Sequence, residues 1–178
     1  YSGASVTGWG QVFADVPLPI TGKWYFEGWC LNAPNPDMHR YTYSGTADYL
    51  MIGVVPHAVK HGSDANTYPS QAATQGTGMD EYTLYKNAAS NVSVGDNNNN
   101  FTVTGNTIPD ISERHSWLAI AWDADTGKLW FGTHANTGST QWIDSTLTGY
   151  TGNPATGANP TFTLPAHTTL YPTGSTYY

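Results

Sequence analysis

The side chains best suited to bind a ligand in this sequence are aromatic rings in polar surroundings. Aromatic residues make up 13% of the 178 residues, with seven Trp and twelve Tyr. An exposed ring can stack on a sugar face or anchor a protein partner, because it buries area at little cost in entropy. The rings in polar segments, which we predict to be the ligand contacts, are Tyr41, Tyr43, Tyr68, Trp142 and Tyr150.

Two groups of polar residues have the composition of a metal site but not its spacing. His57 and His61 are four residues apart, as zinc ligands on one helix face would be. Pro56 and Gly62 limit such a helix to one turn, and no third ligand is indicated. Asp96, before a run of Asn residues, offers calcium only one carboxylate. We interpret both groups as solvated loops and predict no metal.

The patterns of common hydrolases are absent from the sequence. The three Glu residues do not form the E-x-D-x-x-E pattern of sandwich glycosidases, and no G-x-S-x-G marks a serine nucleophile. Asp80 and Glu81 are adjacent, so in a strand their carboxylates would point to opposite faces. Cys30 is the single cysteine, which excludes an intrachain disulfide. We therefore predict a protein that is not an enzyme and holds no cofactor.

The charge balance excludes two classes of partner. The formal net charge is −7, and Lys and Arg together number six. A nucleic-acid binder needs a basic face that displaces counterions, and an anionic membrane surface attracts only basic segments. The sequence has no apolar run of about 18 residues, so we predict no transmembrane helix and no membrane insertion. Charged residues are 11% of the chain, which favours a neutral, extracellular or particle surface.

The clearest prediction of secondary structure, and so of the scaffold that positions the aromatic rings, is a β-hairpin in residues 116–132. Trp117 to Trp122 is a strand, Asp123 to Gly127 is a turn, and Lys128 to Phe131 is the returning strand. Gly127 is expected to take a positive φ, and the Asp side chains to accept from nearby backbone N–H groups. Both strands are apolar on both faces. One face must therefore meet a second sheet, and loops or a neighbour must cover the other.

Further short strands separated by turn residues predict an all-β fold. In Thr21 to Leu31, Tyr25 and Glu27 alternate with Trp24, Phe26 and Gly28. Gly53 predicts a bulge or a close backbone contact. The other expected strands are Asp48 to Val55, Tyr82 to Lys86, Phe101 to Thr104, Thr161 to Leu164 and Thr169 to Tyr171. Asn87 to Asn100 is expected to be a polar loop, and Trp142 to Tyr150 a semi-extended segment. The strand tryptophans expected in the core are Trp24, Trp117, Trp122 and Trp130.

These strands predict a two-sheet antiparallel β-sandwich that forms one domain over residues 1–178. Five segments, in order, resemble a SPRY domain, a concanavalin A-like β-sandwich of jelly-roll type. They are TGKWYFEGW (21–29), YLMIGVV (49–55), WLAIAWDADTGKLWFG (117–132), GNPATGANPTFT (152–163) and LYPTGS (170–175). The fourth is similar to the form found in bacteriophage virion and tail-associated proteins.

The sequence departs from that family in two places. Residues 133–136 replace the usual K-N-G turn, and no N-F-G-like strand follows residues 170–175. An unpaired sheet edge would expose backbone donors and acceptors. We therefore expect the chain to be a portion of a longer polypeptide, or Tyr1 to Phe13 or a neighbouring subunit to fill that edge.

The resemblance implies binding rather than catalysis. We expect a virion-surface or extracellular module that binds host surface glycans or other ligands through its loops, as a tail fibre, spike or capsid decoration does. Two alternatives are a structural connector that binds neighbouring virion proteins and an intracellular peptide-binding adaptor. The expected partners are other virion proteins or a host receptor, within a homo-oligomeric assembly. Fold alone does not decide between these functions.

Overall fold

The computed structural model describes residues 9–29, 49–56, 82–86, 91–96, 99–107, 117–134 and 139–177. These residues form eleven strands and, within those ranges, no helix. The strands are β1 (Trp9–Phe13), β2 (Lys23–Trp29), β3 (Tyr49–Pro56), β4 (Tyr82–Lys86), β5 (Asn91–Asp96), β6 (Asn99–Thr107), β7 (Trp117–Asp123), β8 (Lys128–His134), β9 (Gln141–Trp142), β10 (Phe162–Thr163) and β11 (Leu170–Tyr177).

The strands form two antiparallel sheets. The larger sheet has six strands in the order β1-β11-β3-β4-β5-β6, and the smaller has the order β10-β8-β7-β2, with β9 also paired to β8. Strand β8 pairs with β7 along one edge, while β9 and β10 share its other edge. The predicted all-β, two-sheet antiparallel sandwich is thus confirmed.

The hydrophobic core lies between the two sheets. Ile52, Val54 and Leu84 from the larger sheet belong to the same buried cluster as Ile120 and Phe131 from the smaller one. These residues alternate along their strands with side chains on the outer faces, as the two-residue period of a strand requires. Close packing of two inner faces is what holds a sandwich together.

Two glycines allow close approach between neighbouring elements. A Cβ on Gly28 would collide with the side chain of Ile52 in the opposite sheet. A Cβ on Gly53 would lie 2.5 Å from the carbonyl oxygen of Tyr82 on β4. The register of β3 with β4 and β11 is continuous, so Gly53 makes the close contact rather than the bulge.

The β7–β8 hairpin has the predicted turn. Gly127 has a φ of +71°, and the backbone N–H of Thr126 donates to Asp123 Oδ1 at 3.3 Å. Asp125 Oδ1 accepts from the N–H of Gly22 at 3.1 Å and so joins the turn to the start of β2. This turn therefore also fixes where β2 begins.

Two predictions about the loops need correction. Residues 87–100 were expected to be one polar loop, but Asn91–Asp96 forms β5, and β6 begins at Asn99. Asn and Ser have a weak preference for strands, so β5 is stabilised by its pairing with β4 and with β6. Residues 142–150 were expected to be semi-extended, but only Gln141–Trp142 is a strand, and a turn follows it.

The last strand is paired at both of its edges. β11 pairs with β3 on one side, and β1 pairs with it on the other, from Trp9 opposite Tyr177 to Phe13 opposite Thr173. The expectation that the first residues fill this edge is therefore met by Trp9–Phe13. Because β11 lies inside the sheet, its backbone groups are satisfied by hydrogen bonds.

The contact between Gly28 and Ile52 gives a stability prediction. Gly28→Ala should lower the free energy of unfolding by about 1–3 kcal/mol, because the added methyl overpacks the space between the sheets. Ile52→Ala alone should cost about 2–5 kcal/mol. Urea unfolding should show that the double variant loses less unfolding free energy than the sum of the losses in the two single variants. Strict additivity would mean that the two residues do not touch.

Candidate functional site

On the outer face of the smaller sheet, three residues on neighbouring strands lie side by side, and the central residue has a small side chain. Tyr25 on β2 is opposite Ala121 on β7, which is opposite Trp130 on β8. Neighbouring strands lie about 4.8 Å apart, so the Tyr25 and Trp130 backbones are separated by about 10 Å across Ala121. The methyl group of Ala121 leaves a hollow between the two rings.

A second row places Trp142 beside this hollow. Ala119 on β7 is opposite Gly132 on β8, which pairs with Trp142 on β9. A Cβ on Gly132 would lie 2.7 Å from Cε3 of Trp142, so the indole rests directly on the glycine backbone. The Trp142 ring reaches Tyr25, with 6.0 Å between ring centroids and an interplanar angle of 71°. This edge-to-face pair closes one end of the hollow.

Residues 153–161 cover the outer face next to β8. The N–H groups of Asn153 and Ala158 donate to each other's carbonyl oxygens at 2.9 and 3.0 Å. Trp130 Nε1 donates to the carbonyl of Ala158 at 2.9 Å, and Lys128 Nζ donates to that of Gly157 at 2.8 Å. This loop is the cover that the two-faced apolar hairpin was predicted to need.

A buried carboxylate fixes the turn that follows Trp142. Asp144 is 5% exposed and accepts from the backbone N–H and the hydroxyl of both Thr146 and Thr151. Burial alone raises the pKa of Asp144, but these hydrogen bonds outweigh it and hold the pKa below its usual value. The N–H of Gly152 then donates to the carbonyl of Trp142 at 3.0 Å. The Asp144 turn therefore ties both ends of the loop to the strand that presents Trp142.

The aromatic cleft, as we call the hollow over Ala121, has a volume of about 210 Å³ and is open to solvent. Its lining consists of Lys23, Trp24, Tyr25, Ala121, Trp122, Asp123, Trp130, Trp142, Pro154 and Ala155. Pockets for drug-sized ligands are about 300–1,000 Å³. The cleft therefore suits one ring-sized part of a larger ligand.

The two exposed aromatic side chains of β2, Trp24 and Tyr25, use their polar atoms in hydrogen bonds within the protein. Trp24 Nε1 donates to the carbonyl of Thr21 at 2.7 Å, and the Tyr25 hydroxyl donates to Glu27 Oε1. Burial, followed by the hydrogen bond and the charge of Glu27, raises the pKa of Tyr25 to about 12. The phenol is therefore neutral at physiological pH, and the ring presents its face and edge rather than a charge.

One end of the cleft carries an ion pair. Lys23 Nζ lies 3.7 Å from Asp123 Oδ2, and the lysine side chain is 61% exposed. At that separation the ammonium is outside normal hydrogen-bond distance, so its N–H groups can donate to a ligand oxygen. The cleft thus combines the rings of Tyr25 and Trp142 with a polar end.

Two of the five residues predicted to contact a ligand, Trp142 and Tyr150, lie in the described part of the structure. Trp142 is partly buried and lines the cleft. Tyr150 packs against the hydrophobic core, outside the lining of the cleft, with its hydroxyl 3.4 Å from Thr133 Oγ1. Burial raises the pKa of Tyr150, and the contact with Thr133 lowers it by less. Tyr41, Tyr43 and Tyr68 lie outside the described residues, as do His57 and His61.

Sequence reasoning missed the part that strand residues play in this cleft. Trp24 was expected in the core but is 38% exposed, and Tyr25 is 51% exposed. Trp130 is buried as predicted, but under the 153–161 loop rather than between the sheets. The sequence did contain a signal for the cleft. Tyr25 alternates with Phe26 and Ala121 with Trp122, which puts the ring of Tyr25 and the small side chain of Ala121 on the outer face.

Comparison of the chain with protein-family models and with curated proteins finds no match. Among the described residues, no group of three or more His, Cys, Asp or Glu side chains could hold a metal ion. No helix in that part of the chain is long and apolar enough to cross a membrane.

The Asp144 turn gives a pH-dependent stability prediction. Asp144→Asn should cost about 1–3 kcal/mol at pH 7, because the amide NH2 replaces one oxygen of the buried carboxylate and two of its four donors lose their acceptor. The pKa of Asp144 is lowered on folding, so its stabilising contribution is complete above the unfolded pKa and lost as pH falls through the folded pKa. Urea unfolding of both proteins from pH 7 to 2 should show the two stabilities converging in acid.

Asp125→Asn is the matched control, since the Asp125 side chain is exposed and accepts one backbone hydrogen bond. Its effect should be within about 0.5 kcal/mol. An Asp144→Asn protein as stable as the wild type at pH 7 would contradict this account of the turn.

Proposed function

We propose that this protein is a non-enzymatic module of a virion surface that binds host surface glycans. A tail fibre, a spike or a capsid decoration would present such a module outside the particle. The observation that carries the proposal is the aromatic cleft, where Tyr25 and Trp142 flank a hollow floored by Ala121.

The lining of the cleft matches the chemistry of a sugar ring. A pyranose presents C–H groups on its faces, which stack on aromatic rings, and hydroxyl groups at its rim. Lys23, whose side chain is 61% exposed at one end, can donate to such hydroxyls. Net charge −7 argues against anionic polymers, so a neutral saccharide is the ligand class we favour.

A cleft that holds one ring binds weakly, and a particle compensates for this by copy number. Linked copies turn later binding events into intramolecular ones, which raises avidity by factors of about 10²–10⁴. Three of the segments that resemble a SPRY domain, residues 21–29, 117–132 and 152–163, also supply lining residues of this cleft, and the last of them is the one similar to the bacteriophage form. The two-sheet antiparallel sandwich is the fold that this resemblance implies.

A structural connector within the virion is the second candidate. Val16 is 73% exposed and Ile20 is 48% exposed, and both precede the exposed strand β2. A partner protein that covered these two side chains would remove their apolar area from water. An electron-microscopy reconstruction of the assembled particle would place the cleft either outward or against a neighbouring subunit.

Glycan binding by multimerised protein tests the first candidate. The wild type should bind a subset of neutral saccharides on a glycan array, and Tyr25→Ala should weaken that binding. Loss of one stacking ring is worth about 0.5–1.5 kcal/mol per site, which is about twofold to twelvefold in affinity. Tyr25→Phe keeps the ring and should bind as the wild type does.

Tyr150→Phe is the control outside the cleft and should leave glycan binding unchanged. The proposal fails if the multimerised wild type binds no saccharide, or if Tyr25→Ala binds as well as the wild type. Near-ultraviolet circular dichroism would confirm that each variant keeps its tertiary packing.

A further inference from the structure

Among the strands that the structure describes, β2 lies at one edge of the smaller sheet. In the described part of the chain it pairs with β7 along its whole length, Lys23 to Trp29, and with no other strand. The strand contains no proline and keeps an unbroken register with β7. A long regular edge presents a row of backbone donors and acceptors that can pair with another strand.

The outer face of β2 is exposed and carries opposite charges on either side of a ring. Lys23 is 61% exposed, Tyr25 is 51% exposed, and Glu27 is exposed as well. The three residues are spaced by two, so their side chains share one face of the strand. Along this face a positive charge (Lys23), an aromatic ring (Tyr25) and a negative charge (Glu27) therefore follow one another.

This pattern is complementary to itself when the strand runs antiparallel to a second copy. With Tyr25 opposite Tyr25, each Lys23 lies opposite the Glu27 of the other copy. Opposite charges and paired aromatic rings directly across an antiparallel ladder are both favourable. On the other face, Trp24 lies opposite Phe26, which pairs two further aromatic side chains.

Other registers lose this match. A shift by one residue would place outer-face side chains opposite core-facing ones. A shift that puts Phe26 opposite Phe26 places Tyr25 opposite Glu27 and gives Lys23 no acidic residue opposite it on the other copy. The charge pattern therefore selects the register centred on Tyr25.

We propose that two copies of this chain pair through β2 in this register, which joins their smaller sheets into one continuous sheet across a two-fold axis. Such an interface is isologous, because the same strand serves both copies. One strand pair buries less than the about 800 Å² per partner of a standard interface, so the dimer is reversible. The proposal does not depend on what the aromatic cleft binds.

The dimer also places the two Tyr25 side chains, and therefore the two aromatic clefts, side by side. A ligand with repeating units could then contact both clefts. Because exposed ion pairs contribute to the interface, raising the salt concentration should shift the equilibrium towards monomer.

Sedimentation equilibrium over a range of protein concentrations tests the proposal. The wild type should show a monomer–dimer equilibrium, and Glu27→Lys should raise its dissociation constant by about tenfold or more, because Lys23 then faces a lysine. The double variant Lys23→Glu with Glu27→Lys exchanges the charges and should restore much of the dimer. A restored double variant also shows that the single change acted through charge and not through misfolding.

Glu27→Gln and Ser145→Lys each raise the net charge by one, and Ser145 lies in the exposed turn after Asp144. Glu27→Gln should weaken the dimer, whereas Ser145→Lys should not. The proposal is overturned if the wild type stays monomeric at the highest concentration, or if Glu27→Lys dimerises like the wild type. It is also overturned if the double variant remains as weak as Glu27→Lys.

Discussion

The structure depends on how both apolar faces of the β7–β8 hairpin are covered. One face packs against the larger sheet, through residues such as Ile120 and Phe131. The other is covered next to β8 by residues 153–161 and by Trp142, and both are held by hydrogen bonds to the hairpin or its neighbours. The cover stops short of β2, so Ala121 lies at the base of a hollow that remains open.

Hydrogen bonds from buried polar groups hold this cover in place. Thr161 donates its hydroxyl to the carbonyl of Ile143 at 2.7 Å and accepts from the N–H of Phe131 at 3.0 Å. Asp144 holds the turn between Trp142 and Thr151. A buried donor or acceptor without a partner is costly, so these groups favour one arrangement of the loop. The position of Trp142 follows from that arrangement.

Local chemistry explains which elements were predictable from the sequence. The hairpin turn depends on Asp123 and Gly127, which act within a few residues, and alternation placed Tyr25 and Phe26 on opposite faces. The strand β5 was missed because its order comes from pairing with β4 and β6. The meeting of Tyr25 with Trp142 was also beyond sequence reasoning, since residues far apart in the chain form it through sheet order.

We propose that a saccharide binds in the aromatic cleft, and chemical-shift mapping can locate the residues that it contacts. In a titration of labelled protein with a neutral oligosaccharide, we expect the signals of the Ala121 methyl and the Trp142 indole N–H to shift. The Val54 and Leu84 methyl groups in the core should not move. Shifts confined to residues outside the cleft, or none at saturating saccharide, would contradict it.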